Sequence, residues 1–206
     1  QGATADASYL EKVVFAEGMK KIPNDFCRNR NIEANESIAE VVIPNTVTEI
    51  GSYAFYKCEG LTNIMFGNKL KNVGYGAFLQ CKGLQSIYFQ DNNEMEVTST
   101  GKKKLYSLEI GGDAFAGCVN LSSVILSKNV TSIGGGAFCN CPKLTELKLP
   151  EGLEYLGGGV IGSTGITSLT IPSTVVYSGT NLDGGGVTAG AANLKELIFE
   201  EGTTKI

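Results

Sequence analysis

The sequence predicts a β-rich solenoid of the α/β class, in which short coils stack on one another around a shared core. Two observations predict it: an aromatic and cysteine marker that recurs every 23 residues, and a second register of strand-like segments in step with it. One coil of this length cannot bury its own apolar side, so the coils must stack. We expect one wall of about eight short strands and an opposite wall of short helical or 3-10 turns.

The marker has the form Ala-Phe-x-x-Cys. Its phenylalanines are separated by 23, 37 and 23 residues, and Ile161 stands another 23 residues further on. The longer interval equals the period plus a 14-residue insertion. The marker cysteines and an upstream Ile-Gly or Val-Gly pair keep the same spacing. We therefore expect the rings of the marker to form one buried ladder, made of Phe55, Phe78, Phe115 and Phe138.

The second register consists of segments with the pattern L-x-x-L-x-L, whose apolar residues are expected to point inward while the residues between them point outward. After each segment a Pro-x-x-Val or equivalent turn reverses the chain, and Ile-Gly-x-x-Ala-Phe carries the return wall. The eight segments are LEKVVF, IAEVVI, LTNIMF, LQSIYF, LSSVIL, LTELKL, ITSLTI and LKELIF, which end at Phe15, Ile43, Phe66, Phe89, Leu126, Leu149, Ile171 and Phe199.

Joined together, these elements read L-x-x-L-x-I-P-x-x-V-x-x-I-G-x-x-A-F-x-x-C, which resembles the BspA-like leucine-rich repeats, also called the Treponema pallidum type. The best matching stretches are IPNTVTEIGSYAFYKCEGL (43–61) and LSKNVTSIGGGAFCNCPKL (126–144). The resemblance covers nearly the whole chain. It implies a leucine-rich-repeat solenoid shaped as a right-handed arc with a parallel sheet on one face. It also implies a bacterial or protist surface protein that takes part in adhesion and host-protein binding.

The pattern predicts a single leucine-rich-repeat domain over residues 1–206 with atypical ends. In the first coil Asp25-Phe26-Cys27 stands where Ala-Phe is expected, and in a later coil Ile161 and Thr164 replace the phenylalanine and the cysteine. The final residues match the opening of a further coil, which indicates a segment cut from a longer protein or an exposed terminal coil. The predicted parts are an irregular N-terminal coil (1–42), regular coils (43–171) with an insertion (90–104), a degenerate coil (172–199) and a truncated coil (200–206).

The insertion QDNNEMEVTSTGKKK, residues 90–104, is the most individual feature of the chain. Three acidic residues precede three lysines, with Thr100-Gly101 between them. We predict a β-hairpin in which EMEVT (94–98) pairs with KKLYS (103–107), so that opposite charges face each other across the strands. Its role is open between a solvated excursion and a contact loop.

Composition disfavours several classes of function. The chain contains no histidine, which excludes Ser-His-Asp and Cys-His catalysis within it and removes the commonest metal ligand. A net charge of −4 offers no field for binding nucleic acid. No apolar run reaches the roughly 18 residues that a membrane span needs, so we expect no membrane insertion of this segment. Glycine triplets at 134–136, 157–159 and 184–186 are expected to be turns, because none opens a long helix as a phosphate-binding loop requires.

The six cysteines invite a disulfide interpretation, but the period disfavours it. Marker cysteines occupy equivalent places in stacked coils, so their Cβ vectors should run parallel instead of facing each other. We expect buried free thiols at these positions. The other two cysteines follow phenylalanines in distant coils and should not meet, and Cys139-Asn140-Cys141 lacks further metal ligands nearby. The expected free thiols are Cys58, Cys81, Cys118 and Cys141, and the remaining pair is Cys27 and Cys139.

Function is best sought on the outward rows of the strands, because stacked strands offer an extended concave surface. The row before the last strand residue is apolar for a solvent-facing position, which either reflects β-propensity or marks a recognition surface. On the second interpretation Met65, Tyr88 and Ile125 are anchors beside a polar row. The candidate ligand-binding residues are Asn63, Met65, Ser86, Tyr88, Ser123, Ile125, Glu146 and Lys148.

These observations predict a non-enzymatic protein-binding module with no catalytic residue, cofactor or metal. Following the family resemblance, we expect a secreted or cell-surface bacterial protein whose partner is an extracellular host or neighbouring-cell protein. The alternative is a passive structural spacer within a larger envelope-anchored protein, which would need no apolar outer row. An enzyme would require catalytic groups from outside this chain.

Overall fold

In the computed structural model, residues 10–27, 34–178 and 185–203 are described. The parts of the predicted terminal, first and degenerate coils at 1–9, 28–33, 179–184 and 204–206 lie outside these residues. The strands in chain order are β1 (Lys12–Val14), β2 (Lys21–Ile22), β3 (Glu40–Val42), β4 (Glu49–Ile50), β5 (Asn63–Met65), β6 (Asn72–Val73), β7 (Ser86–Tyr88), β8 (Met95–Val97), β9 (Lys103–Leu105), β10 (Leu108–Ile110), β11 (Ser123–Ile125), β12 (Val130–Ile133), β13 (Tyr155–Leu156), β14 (Ser168–Ile171), β15 (Tyr177–Ser178) and β16 (Glu196–Phe199).

Two walls of parallel strands enclose the core. The first wall, built from the L-x-x-L-x-L segments, consists of the sheets β1-β3-β5, β7-β11 and β14-β16. The second wall is one seven-stranded sheet in the order β2-β4-β6-β10-β12-β13-β15. Strands that neighbour each other in a wall come from successive coils and run parallel. The predicted stacked, parallel solenoid is therefore confirmed.

The predicted aromatic ladder fills the space between the walls. All four marker rings are fully buried. They stack nearly parallel, with centroid distances of 5.0 Å between Phe55 and Phe78, 5.2 Å between Phe78 and Phe115, and 5.7 Å between Phe115 and Phe138. Ile161 continues the column without a ring and is also fully buried. The ladder explains the 23-residue period, because each ring packs on its counterpart in the next coil.

The Ile-Gly-x-x-Ala-Phe segments, predicted to form a return wall of helical or 3-10 turns, follow the second-wall strands. The described residues contain no helix there, so this prediction is wrong. Left-handed residues recur twice in a coil, as at Tyr53 (φ 54°) and Lys57 (φ 55°), and each interrupts a helical run. Amides between them bond to the neighbouring coil, as Phe55 N–H does to the Ala77 carbonyl at 2.7 Å. Backbone pairing between coils therefore replaces pairing within a helix.

The glycine of the Ile-Gly pair allows this close stacking. A Cβ on Gly74 would lie 2.6 Å from the backbone nitrogen of Ser52 in the preceding coil. A Cβ on Gly134 would lie 2.3 Å from the backbone nitrogen of Gly112. Real Cβ atoms do not approach backbone this closely, so these positions require glycine for reasons of space.

In the first coil, the predicted alignment of Phe26 and Cys27 with the Ala-Phe marker is wrong. Cys27 N–H bonds to the Ala54 carbonyl as Phe55 N–H bonds to that of Ala77, so Cys27 occupies the ladder position and Phe26 the alanine position. The Phe26 ring packs against the rings of Phe15 and Phe55, with centroid distances of 5.0 Å and 6.0 Å. Cys27 was expected one place later, in the position after the ring. A ring shifted by one residue thus covers the end of the ladder.

The predicted hairpin in the insertion is confirmed, with β8 and β9 antiparallel and Met95 opposite Leu105. Its expected cross-strand charge pairing is only partly right, since Glu96 lies opposite Lys104 in register but forms its ion pair with Lys71 of the solenoid at 2.5 Å. Glu94 likewise pairs with Lys69 at 3.0 Å. The hairpin is therefore held against the second-wall side of the coil that precedes it.

The base of the insertion is tied to the core through one buried amide. Asn129 Oδ1 accepts a hydrogen bond from Asn92 N–H at 2.7 Å, and its Nδ2 donates to the carbonyls of Asn92 and Tyr106 at 2.8 and 2.7 Å. Both asparagines are 3% exposed. Asn129 thus bonds to the backbone at both ends of the insertion. The same bonds satisfy its own buried amide group.

Candidate protein-binding surface

Within each sheet of the first wall, the outward rows lie in the register that the sequence predicts. Val14 aligns with Val42 and Val42 with Met65, while Tyr88 aligns with Ile125. Met65, Tyr88 and Ile125 are 59%, 54% and 54% exposed. Side chains alternate across a strand, so the inward burial of Ile64 and Ile87 forces these anchors outward. We call the row of Met65, Tyr88 and Ile125 the anchor row.

A polar row runs beside the anchor row. Asn63 aligns with Glu40, and Ser86 aligns with Ser123 in the next coil. Of the four residues predicted for this row, Asn63, Ser86 and Ser123 lie on strands and are exposed, and Glu146 is described below. The surface therefore combines large apolar side chains with short hydrogen-bonding ones, a composition typical of protein interfaces.

The last predicted pair, Glu146 and Lys148, is exposed but does not lie on a strand. The segment LTELKL was expected to be the sixth of eight first-wall strands, and it is irregular instead. Seven first-wall strands are therefore present in the described residues. The sheet ends at β11, and an opening separates β11 from Glu146 and Lys148. These two residues therefore do not continue the row formed by the other six.

This opening is a groove of about 760 Å³. One edge is formed by β11 with Val124 and Leu126, and the other by Glu146 and Lys148. Leu105 of the hairpin closes one end. Val124 and Leu126 belong to inward positions of the repeat, yet both are only half-buried. The groove therefore reaches down to core side chains, and its volume is in the range of ordinary ligand sites.

The hairpin contributes apolar surface that sequence analysis did not assign to the site. Met95 is 55% exposed, Val97 68% and Leu105 36%. Met95 pairs with Leu105, and Val97 is two residues along from Met95, so the three share one face of the hairpin. The alternation of Glu94, Met95, Glu96 and Val97 carried this signal, because one face of such a strand is apolar.

The cysteines are free, as expected, and Cys58, Cys81, Cys118 and Cys141 are buried. The thiol of Cys81 donates to the carbonyl of Phe55 at 3.0 Å, and that of Cys118 to the carbonyl of Phe78 at 3.3 Å. Burial raises the pKa of both thiols, and raises the pKa of Cys141 to about 12. Thr164 takes the same place in a later coil, where its hydroxyl donates to the Ile161 carbonyl at 2.8 Å. Neutral, hydrogen-bonded side chains are therefore what this position holds.

Cys27 has a partner that sequence analysis did not assign. Its side chain is hydrogen-bonded to Cys58, and this bond is the main reason that the pKa of the Cys58 thiol is raised, ahead of burial. Within the described ranges, no group of three or more histidine, cysteine or acidic side chains could hold a metal ion. Across the same residues, no helix has the length and apolarity of a membrane span.

A second groove of about 520 Å³ lies on the turns that follow the second-wall strands. It is lined by two of the glycine triplets together with Tyr75, Asp113 and Cys139. The Tyr75 hydroxyl donates to Asp113 Oδ2 at 2.5 Å, and this bond raises the pKa of Tyr75. The triplets at 134–136 and 157–159 form turns at the expected places, with positive φ at their third glycine. Gly184 lies outside the described residues.

The sequence profile of the BspA type leucine rich repeat region matches residues 29–108 and 108–206, with six copies. Among solved structures, a leucine rich repeat protein of T. pallidum is 20% identical, with a TM-score of 0.57 over 92% of this chain and 70% of that chain. A leucine-rich repeat protein from Eubacterium ventriosum is 23% identical, with a TM-score of 0.58 over 83% of this chain. This chain spans only 46% of the Eubacterium protein. No curated protein matches the sequence significantly.

Proposed function

The chain belongs to the BspA-type leucine-rich repeat family, and from this premise we propose that it is a non-enzymatic protein-binding module that uses the outer face of its first wall. Leucine-rich repeat proteins generally act as protein-interaction modules. The single observation that carries the proposal is the anchor row, three large apolar side chains at the same repeat position of successive coils, each more than half exposed. Isolated exposed apolar residues are ordinary, but an aligned row flanked by polar residues is typical of an interface.

The setting that we propose is a bacterial cell surface, where the partner is an extracellular protein of a host or a neighbouring cell. The family resemblance supports this setting. The rival function is a passive spacer within a larger envelope protein. A spacer has no need of an apolar outer row, so the exposure of Met65, Tyr88 and Ile125 favours the binding module over the spacer.

The test is a binding screen against immobilised extracellular-matrix and plasma proteins by surface plasmon resonance. The wild-type protein is compared with the triple variant Met65→Ala, Tyr88→Ala, Ile125→Ala. Val176→Ala is the matched control, because Val176 is 60% exposed and precedes β15 on the second wall. We expect the triple variant to lose at least tenfold in affinity for any partner found, and the control to bind as wild type. Equal binding by all three proteins would remove the first wall from consideration.

A further inference from the structure

We propose that the groove beside β11 receives an extended segment of a protein partner, which adds to the first wall as an extra strand. This inference rests on the proposed function and deepens it, because it names the form in which a partner meets the same face. It is carried by three observations: unpaired backbone on both edges of the groove, core side chains open to it, and unpaired charges along its rim.

The backbone on the two edges lacks the bonds that join neighbouring coils. In an earlier coil Thr62 N–H donates to the Ala39 carbonyl at 3.0 Å. The equivalent bond, from Thr145 N–H to the Ser122 carbonyl, is absent. Over the described part of the chain, residues 145–149 make no backbone–backbone hydrogen bond at all. Unpaired strand-like backbone is a template for strand addition.

The geometry of β11 turns free backbone groups toward the groove. Ser123 N–H bonds to the Gln85 carbonyl, and the Ile125 carbonyl accepts from Phe89 N–H, so these two residues face β7. Residues alternate in direction along a parallel strand, so the amide and carbonyl of Val124 face the groove. On the other side of the groove, the backbone of residues 145–149 is also free of backbone hydrogen bonds to the described residues. An extended segment in the groove could therefore pair with the free edge of β11.

The core is open at this groove and at no equivalent place nearby. Val124 is half-buried, whereas Val41, Ile64 and Ile87 at the same repeat position are 0%, 7% and 1% exposed. Missing sheet pairing alone does not cause this difference. Strands β5 and β7 also belong to separate sheets, yet the Phe66 and Phe89 rings stack at 4.5 Å between their coils and keep the core closed. The groove therefore has an apolar floor that an incoming side chain would cover.

The rim defines the chemistry of the partner. Among the described residues, neither Glu146 nor Lys148 forms an ion pair. Five unpaired residues at about 3.3 Å each give an edge of roughly 17 Å. The partner that fits is a stretch of about five residues without proline, apolar at alternate positions and carrying one basic and one acidic side chain between them. Across strands, opposite charges directly facing each other are favourable.

The test uses two synthetic seven-residue peptides, Val-Lys-Val-Glu-Val-Thr-Val and Val-Glu-Val-Lys-Val-Thr-Val, measured by calorimetry against the whole protein. We expect both to bind and one to bind about three- to tenfold more tightly. In the variant Glu146→Lys, Lys148→Glu the preference between the two peptides should invert, whichever direction the peptide runs. Amide N-methylation of the preferred peptide should weaken it at least tenfold, because the side chains remain and the backbone donors are lost.

Three results would overturn strand addition: absence of binding by both peptides, equal binding of the N-methylated peptide, or a preference that the charge exchange leaves unchanged. Self-association in sedimentation that the Glu146→Lys, Lys148→Glu variant abolishes would also overturn it, because a second copy of the chain would then already fill the groove. None of these results bears on the proposal that the anchor row binds a partner. If the triple variant still loses its partner in the screen while the peptides fail, the proposed function stands and only strand addition falls.

Discussion

Removing one ring from the aromatic ladder should destabilise the protein strongly. Phe78 is the ring to remove, since it is fully buried and stacked on both sides, on Phe55 at 5.0 Å and on Phe115 at 5.2 Å. Phe66 meets its edge at 5.8 Å. Replacement by alanine leaves a cavity that two coils share, because neither wall can collapse into it without losing its own strand pairing.

The expected loss for Phe78→Ala is about 3 to 5 kcal/mol, the range for phenylalanine truncated in a packed core. For a chain of this length, each kcal/mol corresponds to about 2 to 4 °C, so the melting temperature should fall by roughly 6 to 20 °C. Tyr88→Ala is the matched control. Its ring is 54% exposed, and its removal should change stability by no more than about 0.5 kcal/mol.

The assay is thermal and urea unfolding followed by circular dichroism, with amide hydrogen exchange as a local readout. Protection should fall in the coils on both sides of Phe78 and not only in its own coil, since stability in a solenoid depends on contacts between neighbouring coils. A variant that melts within a degree or two of wild type would refute the stacked-ladder account. So would a loss of protection confined to residues next to position 78.

Three further outcomes follow from other contacts. Asn129→Ala should cost about 2 to 3 kcal/mol and release the amide of Asn92 to rapid exchange, because it leaves buried backbone groups unpaired; retained protection would contradict this. Thr62→Pro should cost about 1 to 3 kcal/mol more than Thr145→Pro, since only Thr62 N–H is bonded, and equal losses in urea midpoint would mean that the groove edge is paired in solution. Stability should fall as pH rises above about 8.5, by about 1 kcal/mol per buried thiol at pH 9.5. The reason is that thiols ionise in the unfolded state at this pH, whereas the buried thiols, whose pKa values are raised, stay protonated. Cys118→Ala should flatten that slope, and an unchanged slope would assign it to other groups.

Sequence periodicity predicts the core of this protein well because the core is what imposes the period. Each ring must sit over the next one, so Phe55, Phe78, Phe115 and Phe138 cannot drift in register. The hairpin was predictable for a similar reason, since the alternation of Glu94 to Val97 is a local property of one strand.

The return wall was not predictable in the same way. Ile-Gly-x-x-Ala-Phe suits a helical turn by composition, and the choice between a helix and pairing across coils depends on the left-handed residues, such as Tyr53, that the stacking imposes. The groove was also hidden, because LTELKL has the same pattern as its neighbours. Whether this segment pairs with β11 depends on the packing of the whole coil, and the sequence of the segment alone does not indicate it.

The claim that the first wall is the binding face is tested most directly by hydrogen–deuterium exchange of the whole protein, with and without the tightest-binding protein from the screen. The account predicts slower exchange in β5, β7 and β11 and at residues 145–149, with no change along β4, β6 and β12. Protection of those second-wall strands, with the first wall unchanged, would contradict it.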